Sequence, residues 1–428
     1  MKTYQAYQLS ASLRKELCLR PTREVDTSAA SVSDICRDVK RRGDTALREY
    51  GRRFDAASVT ALRVEPREVQ AASREMSEDF RQALLVAASN IRTFHAAQGQ
   101  SEPVIETMPG VVCRRERRPI EQVGLYVPAG SAPLPSTVLM LGIPATLAGC
   151  SRIVLCSPPT SEGSVNPYVL AAAEFVGISE IYRVGGAQAI AAMAYGTESI
   201  AKVDKIFGPG NTFVTAAKRF VSTDPDGAAI DLLAGPSELL VIADETADPR
   251  VVAADLVSQA EHDPSAHVVL VTTSQTLAAT VEREVEQLLR NLPRGEIARQ
   301  AIEGSLALVL DSLNDAVQFS NDYAPEHLIL NVRSPEQFVP AIRNAGSVFL
   351  GSYAPVTAGD YASGTNHTLP TGGTAKWYGG ISVESFQKSI TFQTITKDGL
   401  QNLEPTLGAF ADAEGLEGHK KAVSVRLK

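Results

Sequence analysis

The sequence has no cysteine pattern typical of a disulfide-stapled or zinc-finger protein. Its cysteines are odd in number and lack metal-site spacing, so we expect reduced, buried thiols at Cys18, Cys36, Cys113, Cys150 and Cys156. The N-terminus lacks the apolar core of a signal peptide, and the apolar stretch 137–150 is interrupted by Gly142 and Pro144 before it could span a bilayer. These absences predict a cytoplasmic protein with no membrane partner.

An excess of basic charge is also missing, because 41 Lys and Arg residues stand against 49 Asp and Glu residues, giving a net charge of −8. This balance argues against nucleic acid as a partner and favours a small-molecule ligand. The one basic run, 114–118, contains Glu116 and is predicted to lie on a solvated strand edge. With 428 residues and 44% apolar content, the chain should form two or three globular domains.

The hydrophobic pattern changes along the chain. Residues 32–50 and 67–97 have helical apolar spacing, and we expect these helices to pack on the outside of a sheet. From Gln122 onward, short β-branched runs alternate with Gly/Pro turns and alanine-rich helices, which is typical of βα units and a parallel sheet. The predicted strands are 123–127, 152–156, 180–184, 203–207, 239–243, 267–271, 306–310 and 347–350.

No Gly-x-Gly-x-x-Gly follows any predicted strand, so the usual dinucleotide fingerprint is absent. Three other turns, 126–131, 185–188 and 208–211, end predicted strands and would share the carboxyl edge of one sheet. The last two would present free backbone N–H groups and a helix N-terminus, with Asn211 as an N-cap, to an anion. Each of these two is equally well explained as an ordinary βα turn that requires glycine.

Glu326 and His327 are adjacent in a turn set by Pro325, between a predicted helix over 315–323 and a predicted extended segment over 327–332. Two proton-transfer groups with different pKa values can perform two acid–base steps in one pocket. Taken alone, the dipeptide is more often a surface turn with a chance histidine. The rest of the chain favours a site.

A possible metal site begins at the predicted helix that ends near residue 262. Gln259 and His262 are three residues apart and share a helix face, and Asp360 and His419 could complete four ligands for a divalent cation. Alone, the Gln-x-x-His pattern is more often an ordinary helix end. Asp360 lies in the Gly/Thr-rich stretch 358–373, which we predict to be a long loop, and His419 lies in a tail, 390–428, with little core of its own.

Together these segments resemble the histidinol dehydrogenase family over nearly the whole chain. The motifs that carry the resemblance are Gly124-Leu-Tyr-Val-Pro-Ala-Gly, Ala132-Pro-Leu-Pro-Ser-Thr, Gly185-Gly-Ala-Gln, Gly208-Pro-Gly-Asn, Ile230-Asp-Leu-Leu-Ala-Gly-Pro-Ser-Glu, Gln259-Ala-Glu-His, Asn321-Asp-Tyr-Ala-Pro-Glu-His and Gly359-Asp-Tyr-Ala-Ser-Gly-Thr-Asn-His.

The resemblance implies a role for each matching residue. Glu326 and His327 match the family's acid–base pair, and its NAD contacts match Tyr126, Gln188 and Asn211. A zinc ion is implied at Gln259, His262, Asp360 and His419. The implied substrate contacts are Ser237, Gln259, His262, His327, Asp360, Glu414 and His419. His367 is a candidate neighbour of the zinc ligands, with a structural role at least as plausible.

The resemblance also implies an α/β fold of two incomplete Rossmann-like parallel-sheet domains with small helical terminal extensions, in an intertwined homodimer that shares His419 and Glu414 across subunits. We expect an N-terminal arm over 1–26 and a C-terminal tail over 376–428. The first domain, 27–120 with 239–375, would carry the metal and acid–base residues, and the second, 121–238, the NAD loops. The implied reaction is zinc- and NAD-dependent oxidation of histidinol to histidine in two hydride transfers.

Three alternatives remain open from the residues. The first is a related enzyme that oxidises another amino alcohol or a diol, because zinc and NAD groups say little about the far end of a substrate. The second is a zinc hydrolase that uses Glu326 on a metal-bound water. The third is a non-catalytic ligand-binding protein, which would need neither the acid–base pair nor the metal.

Overall fold

The computed structural model describes residues 1–20, 26–55, 59, 61–99, 102–129, 133–233 and 235–428, with backbone alone over 26–30. The described strands are β1 (Lys2–Gln5), β2 (Ile105–Met108), β3 (Val111–Pro119), β4 (Gln122–Tyr126), β5 (Arg152–Ser157), β6 (Glu180–Arg183), β7 (Lys205–Phe207), β8 (Ala229–Ile230), β9 (Glu238–Ala243), β10 (His267–Thr272), β11 (Leu306–Val309), β12 (His327–Asn331), β13 (Ser347–Leu350) and β14 (Gln387–Ile395).

The described α-helices are α1 (Ala11–Leu17), α2 (Asp26–Arg42), α3 (Asp44–Phe54), α4 (Pro66–Glu75), α5 (Glu78–Ala96), α6 (Pro135–Ala148), α7 (Pro167–Val176), α8 (Gly186–Tyr195), α9 (Thr212–Thr223), α10 (Pro249–Ala260), α11 (Gln275–Leu289), α12 (Gly295–Glu303), α13 (Leu313–Tyr323), α14 (Val356–Tyr361), α15 (Lys397–Glu414) and α16 (Glu417–Leu427). Short 3-10 turns lie at Ala6–Gln8, Pro335–Ala341, Thr374–Lys376 and Val383–Phe386. No described helix is long and apolar enough to cross a membrane.

Two sheets are parallel and share one strand order. The five-stranded sheet has the order β6-β5-β4-β7-β8, and the six-stranded sheet has the order β1-β11-β10-β9-β12-β13. Apart from the added edge strand β1, each follows the Rossmann order 3-2-1-4-5 and lacks the sixth strand. The predicted α/β fold with two incomplete Rossmann-like sheets is therefore confirmed.

The sheets are held by apolar side chains on both faces, as parallel sheets with helices on each side require. Every residue of β9, β10 and β12 is buried. Branched residues such as Val241, Val268 and Ile329 fill the layer between the six-stranded sheet and its helices. Because these strands are short and fully buried, their ends present backbone groups at fixed positions.

The N-terminal helices α2 to α5 pack on the five-stranded sheet. Val32, Cys36 and Leu47 lie in one apolar cluster with Tyr126 of β4, and Leu84 of α5 lies in a second cluster that also holds residues of β4. The division of the chain into domains stays a prediction. The predicted first domain grouped 27–120 with 239–375, and the contacts of these helices favour grouping them with 121–238.

Two long predicted helices are each broken into two. Residues 32–50 lie in α2 and α3, which separate at Gly43, where φ is +53°, a conformation that glycine adopts readily. Residues 67–97 lie in α4 and α5, which separate before Ser77, whose hydroxyl accepts a hydrogen bond from the Phe80 N–H as an N-cap. Helical apolar spacing continues across both breaks, so it did not reveal them.

Of two further predictions about local structure, one is confirmed and one is wrong. The basic run 114–118 lies on β3 and pairs with β14 on one side, whereas β2 pairs with β3 at residues 111–113, so the run is at a solvated strand edge as predicted. Its arginines form ion pairs with Glu102, Glu116 and Glu384. Asp360, predicted to lie in a long loop, is in the short helix α14.

The C-terminal arm, which comprises β14, α15 and α16, buries very little of its own surface. Its strand pairs with β3, and α15 buries Gly399 and Ala411. No residue of α16 is buried. Phe410 is 65% exposed and Val425 is 51% exposed in the single chain. The prediction that the tail lacks a core is confirmed, and apolar side chains of this size favour cover by another surface.

Asp44 ties the start of α3 to the loop 197–199. Its carboxylate accepts hydrogen bonds from the Thr197 and Ser199 hydroxyls and from the Ser199 N–H, and it is 5% exposed. Burial alone would raise the pKa of Asp44, but these hydrogen bonds and the charge of Arg48 outweigh it, so the net pKa is lowered.

We expect Asp44→Ala to lower the free energy of unfolding at pH 7 by about 2–4 kcal/mol, because it leaves buried donors unpaired. A lowered pKa stabilises the fold above the unfolded-state pKa, and this contribution is lost as the pH falls through the folded-state pKa. The difference between the two proteins should therefore shrink below about pH 4. Urea unfolding at pH 7 and at low pH measures it, with Asp34→Ala in an exposed ion pair as control. A difference independent of pH would contradict the prediction.

Candidate active site

The acid–base pair lies at the amino edge of the six-stranded sheet. Helix α13 ends at Tyr323, and Ala324 then adopts φ +54°, the only positive φ among the described non-glycine residues. This reversal and Pro325 bring Glu326 to the start of β12, of which His327 is the first residue. The predicted extended segment 327–332 is therefore confirmed as β12, and of the pair that was predicted to lie in the joining loop, Glu326 precedes the strand and His327 begins it.

One backbone unit binds both members of the pair. The N–H of Glu238, the first residue of β9, donates to Glu326 Oε2 at 2.8 Å. The C=O of Glu238 accepts from His327 Nδ1 at 2.9 Å. Because a carbonyl oxygen only accepts, Nδ1 must carry the proton and Nε2 must carry the lone pair. Among the described residues, His327 Nε2 is buried and has no hydrogen-bond partner.

Burial shifts the pKa values of the pair in opposite directions. It raises the pKa of Glu326 well above its ordinary value, and burial together with the nearby His367 and His262 lowers the pKa of His327 to about 4. Glu326 Oε2 lies 3.6 Å from His327 Nδ1, but a neutral ring makes this contact no ion pair. His327 is therefore a neutral base near pH 7, and Glu326 is a carboxyl group that binds a proton more tightly than an exposed one.

Asp360 faces the free nitrogen of His327. Its Oδ1 lies 3.8 Å from His327 Nε2, too far for a hydrogen bond. Burial raises the pKa of Asp360 to about 7, and Asp360 in turn raises the pKa of Glu326. His367, whose Nε2 lies 3.5 Å from Thr137 Oγ1, adjoins the same cluster, and burial lowers its pKa to about 4. A bound cation would stabilise the ionised form of such a buried acid.

The predicted metal ligands lie on α10 and the turn after it, on α14 and on α16. Gln259 is buried in the last turn of α10, and His262 lies just beyond that helix, with its N–H still donating to the Gln259 C=O at 3.3 Å. The two residues thus share a face, as predicted. Within the described ranges, no group of three or more His, Cys, Asp and Glu side chains could hold a metal ion. An amide oxygen, an imidazole and a carboxylate are donor types that zinc accepts, and a site built from Gln259, His262 and Asp360 would need a fourth ligand.

His419 and Glu414 are not part of this cluster in the single chain. Glu414 is the last residue of α15, His419 is in α16, and both are exposed. His262 is also exposed, at the rim of the cluster. The exposed positions on the arm leave both residues available to a second copy of the chain.

Ser237 lies at the same amino edge as the acid–base pair. It directly precedes β9, and its C=O accepts from the His267 N–H at 3.0 Å. The side chain is half-buried. It is therefore one residue from Glu238, whose backbone holds the pair.

A second group of predicted residues lies at the carboxyl edge of the five-stranded sheet. Tyr126 ends β4, Gln188 is in the first turn of α8 after β6, and Asn211 caps α9 after β7. Asn211 Oδ1 accepts from the N–H groups of Phe213 and Val214, both at 3.1 Å, so the predicted N-cap is confirmed. Part of the predicted turn 126–131 lies outside the described residues.

The N–H groups of these turns are less free than we predicted. The Gly186 N–H donates to the Tyr126 hydroxyl at 3.0 Å, and the Gly208 N–H donates to Asp231 Oδ2 at 2.8 Å. Lys218 pairs with Asp231 and donates to the Gly208 C=O at 3.0 Å. A Cβ at Gly208 would lie 2.1 Å from the Tyr126 C=O, so only glycine fits there. Internal bonds thus fix the shape of this edge.

Two residues that hold the acid–base pair in place were not singled out from the sequence: Glu238, which binds the pair, and Arg20, which binds Glu238. Glu238 is a charged residue that begins an otherwise apolar strand, and this placement was the signal available in the sequence. The structure buries it to 1% exposure. Arg20, which pairs with Glu238, is 218 positions away in sequence, and nothing in its local pattern indicated the contact.

Comparisons with known proteins agree on one family. The family model described as histidinol dehydrogenase matches residues 18–427. The histidinol dehydrogenase of Photobacterium profundum is 51% identical over 100% of this chain and 96% of its own length, and that of Escherichia coli is 50% identical over 98% and 96%. The crystal structure of the Elizabethkingia anophelis histidinol dehydrogenase superimposes with a TM-score of 0.96 at 51% identity, covering 100% of this chain and 98% of that one. The chain is therefore an oxidoreductase that belongs to the histidinol dehydrogenase family.

Proposed function

We propose that this enzyme oxidises L-histidinol to L-histidine in two successive hydride transfers, through bound histidinal, as the last steps of histidine biosynthesis. The observation that carries the proposal is the acid–base pair: a buried neutral imidazole whose Nε2 has no hydrogen-bond partner in the described part of the chain, beside a carboxyl with a raised pKa. The family membership of the chain supports the substrate.

Two bound groups supply what the side chains cannot. NAD would supply the hydride acceptor for both oxidations, and zinc would supply a Lewis acid that orients the substrate. Gln259, His262 and Asp360, with His419 of a second copy, would hold the zinc. Substrate contacts would come from Ser237, Glu414, His327 and the zinc-binding side chains.

The acid–base pair would move the protons. In the first oxidation His327 Nε2 accepts the hydroxyl proton as the carbon loses a hydride, which leaves an aldehyde. Glu326 then removes a proton from the water that adds to the aldehyde, since a carboxylate with a raised pKa is a stronger base than an exposed one. As the hydrate forms, His327 returns its proton to the former aldehyde oxygen, and in the second oxidation it accepts a hydroxyl proton of the hydrate as the second hydride leaves. The aldehyde stays bound between the two steps.

An intertwined homodimer would complete the site. In the single chain His419 and Glu414 are exposed on an arm that buries almost none of its apolar side chains. His262 is exposed at the rim of the cluster that lacks a fourth ligand. Docking of a partner's arm at that rim would cover the exposed apolar side chains of the arm. The same contact would supply the imidazole of His419 as the fourth ligand. We further propose that the enzyme works in the cytoplasm.

A single absorbance measurement tests the proposed reaction. Mixing the zinc-loaded protein with NAD and histidinol should produce absorbance at the NADH band, with two NADH formed for each histidinol consumed. Turnover of histidinol without NAD, or no reaction with histidinol while another amino alcohol reacts, would reject the proposal.

We expect Glu326→Gln to impair the oxidation of histidinal more than that of histidinol. The amide keeps an oxygen that can accept from the Glu238 N–H, but it cannot remove a proton from water. The loss on the aldehyde should reach about 10²-fold or more, the usual contribution of a positioned base. Separate assays with histidinol and with histidinal compare the two steps. Equal losses on both substrates would remove the assigned role.

We expect Lys218→Met to raise the KM for NAD about tenfold, because Lys218 and Asp231 together hold both backbone polar groups of Gly208. The KM for histidinol should not change. A Lys218→Met, Asp231→Asn double variant separates loop geometry from the cost of an unpaired buried charge, and should be more stable than the single variant. An unchanged KM for NAD in both variants would show that this loop does not contact the nucleotide.

A further inference from the structure

The acid–base pair depends on one strand residue, Glu238, whose side chain is itself held in place. Its backbone N–H and C=O bind Glu326 and His327 respectively. Its carboxylate is buried and accepts from the N–H of Gly372 at 2.8 Å. A shift of this residue would therefore move both members of the pair at once.

Arg20 provides the other contacts of that carboxylate. Its Nε donates to Glu238 Oε1 at 2.8 Å and its Nη2 donates to Oε2 at 2.7 Å, in a two-point pair whose side chains are 16% and 2% exposed. Paired in this way, a guanidinium fixes the plane of the carboxylate as well as its position.

The same guanidinium also binds the turn that directly precedes the acid–base pair in the chain. Arg20 donates to the C=O groups of Tyr323 at 2.7 Å and Ala324 at 3.2 Å, the last residues before Pro325 and Glu326. It donates to the Cys18 C=O at 2.8 Å and lies over the Tyr323 ring, 3.5 Å from its centroid. All five N–H groups of the side chain are thus used.

We infer that Arg20 is a positioning residue for the reaction: it joins the strand residue that binds Glu326 and His327 to the turn that carries them, and so fixes the ring of His327 with Nδ1 protonated. The inference rests on the proposed function and adds to it a residue from the N-terminal arm. Arg20 touches neither member of the pair and needs no contact with substrate or NAD.

A lysine could not replace this arginine. Its ammonium has three donors at one point, so it can neither match both carboxylate oxygens in a plane nor reach three carbonyls as well. In Arg20→Lys we expect kcat for histidinol to fall about tenfold or more, since an error of about 1 Å in a reacting geometry can cost on the order of 100-fold. The KM values for histidinol and NAD should stay within about twofold, because the binding groups are untouched.

The tautomer of His327 gives a readout that a purely structural role would not move. In the zinc-loaded protein with ¹⁵N-labelled histidine, the ring signals of His327 are assigned by their absence in His327→Asn. The parent should show a protonated Nδ1 and an unprotonated Nε2. Arg20→Lys should show a mixture of tautomers. Glu238→Gln, which keeps one accepting oxygen, is a second variant with a smaller expected loss of about threefold in kcat.

Arg152→Lys is the matched control. Arg152 and Glu180 form a two-point pair of the same kind, at 2.9 and 2.6 Å, between β5 and β6 on the other sheet. This control should keep kcat and the His327 tautomer. A fall in kcat shared equally by Arg152→Lys, a fall that follows loss of zinc, or an unchanged tautomer in Arg20→Lys would each overturn the inference. If the parent protein does not oxidise histidinol, the proposed function fails, and the tautomer measurement still tests the role of Arg20.

Discussion

Replacement of His327 by asparagine should suppress both oxidations, with kcat for histidinol and for histidinal each reduced by about 10²- to 10⁴-fold. An asparagine amide can still donate to the Glu238 C=O, so the local backbone should be retained. It has no basic nitrogen to accept a proton at the position of Nε2. Because the same nitrogen serves both steps in the proposed reaction, the two substrates should lose activity alike.

The matched control for this variant is His95→Asn. His95 is also a buried histidine with an Nε2 that has no hydrogen-bond partner among the described residues, and its Nδ1 lies 3.1 Å from Gln98 Oε1. It lies on α5 and is not among the residues that hold the acid–base pair. His95→Asn should lower the melting temperature and leave kcat unchanged. If His327→Asn retained histidinal oxidation while losing histidinol oxidation, a single shared base would be excluded.

A heterodimer of two inactive variants should recover activity. His327→Asn damages the part of the site that lies on the six-stranded sheet, which we call the body. His419→Ala damages the part that lies on the C-terminal arm. If the arm acts across subunits, one of the two sites in a mixed dimer combines an intact body with an intact arm. Co-expressed, doubly tagged heterodimers should therefore have about half of the parent activity, against almost none for either variant alone.

The control pairs two variants on the same side of the site. A heterodimer of His327→Asn with Gln259→Ala has one damaged body in each site and should stay inactive. If the first heterodimer is as inactive as this control, His419 acts within its own chain. If both heterodimers recover activity, the recovery comes from a more stable protein and not from a site shared between subunits.

Much of the fold followed from local sequence. The buried strands were predictable because β-branched runs such as 239–243 are bounded by glycine, proline or aspartate, and the observed ends differ from the prediction by at most two residues. The breaks at Gly43 and before Ser77 were missed because apolar spacing continues across them. Asp360 was assigned to a loop because a helix of six residues, Val356–Tyr361, is too short to show a period.

The candidate site was also predictable from the sequence only in part. Residues within a few positions of one another, such as Gln259 with His262 and Glu326 with His327, were found from spacing and residue type. Their common location was not predictable from spacing, because it depends on which strands are neighbours. The contact of Arg20 with Glu238 joins the N-terminal arm to β9 over 218 positions, and a single sequence contains no signal for such a pair.

The two sheets have the same strand order but place their groups at opposite edges. The acid–base pair depends on the amino ends of β9 and β12, whereas the turns proposed to bind NAD follow the carboxyl ends of β4, β6 and β7. In the proposed reaction, nucleotide recognition and proton transfer would therefore be encoded by separate stretches of chain. Directed evolution toward another dinucleotide would then vary the turns of the five-stranded sheet without disturbing the backbone that holds the acid–base pair.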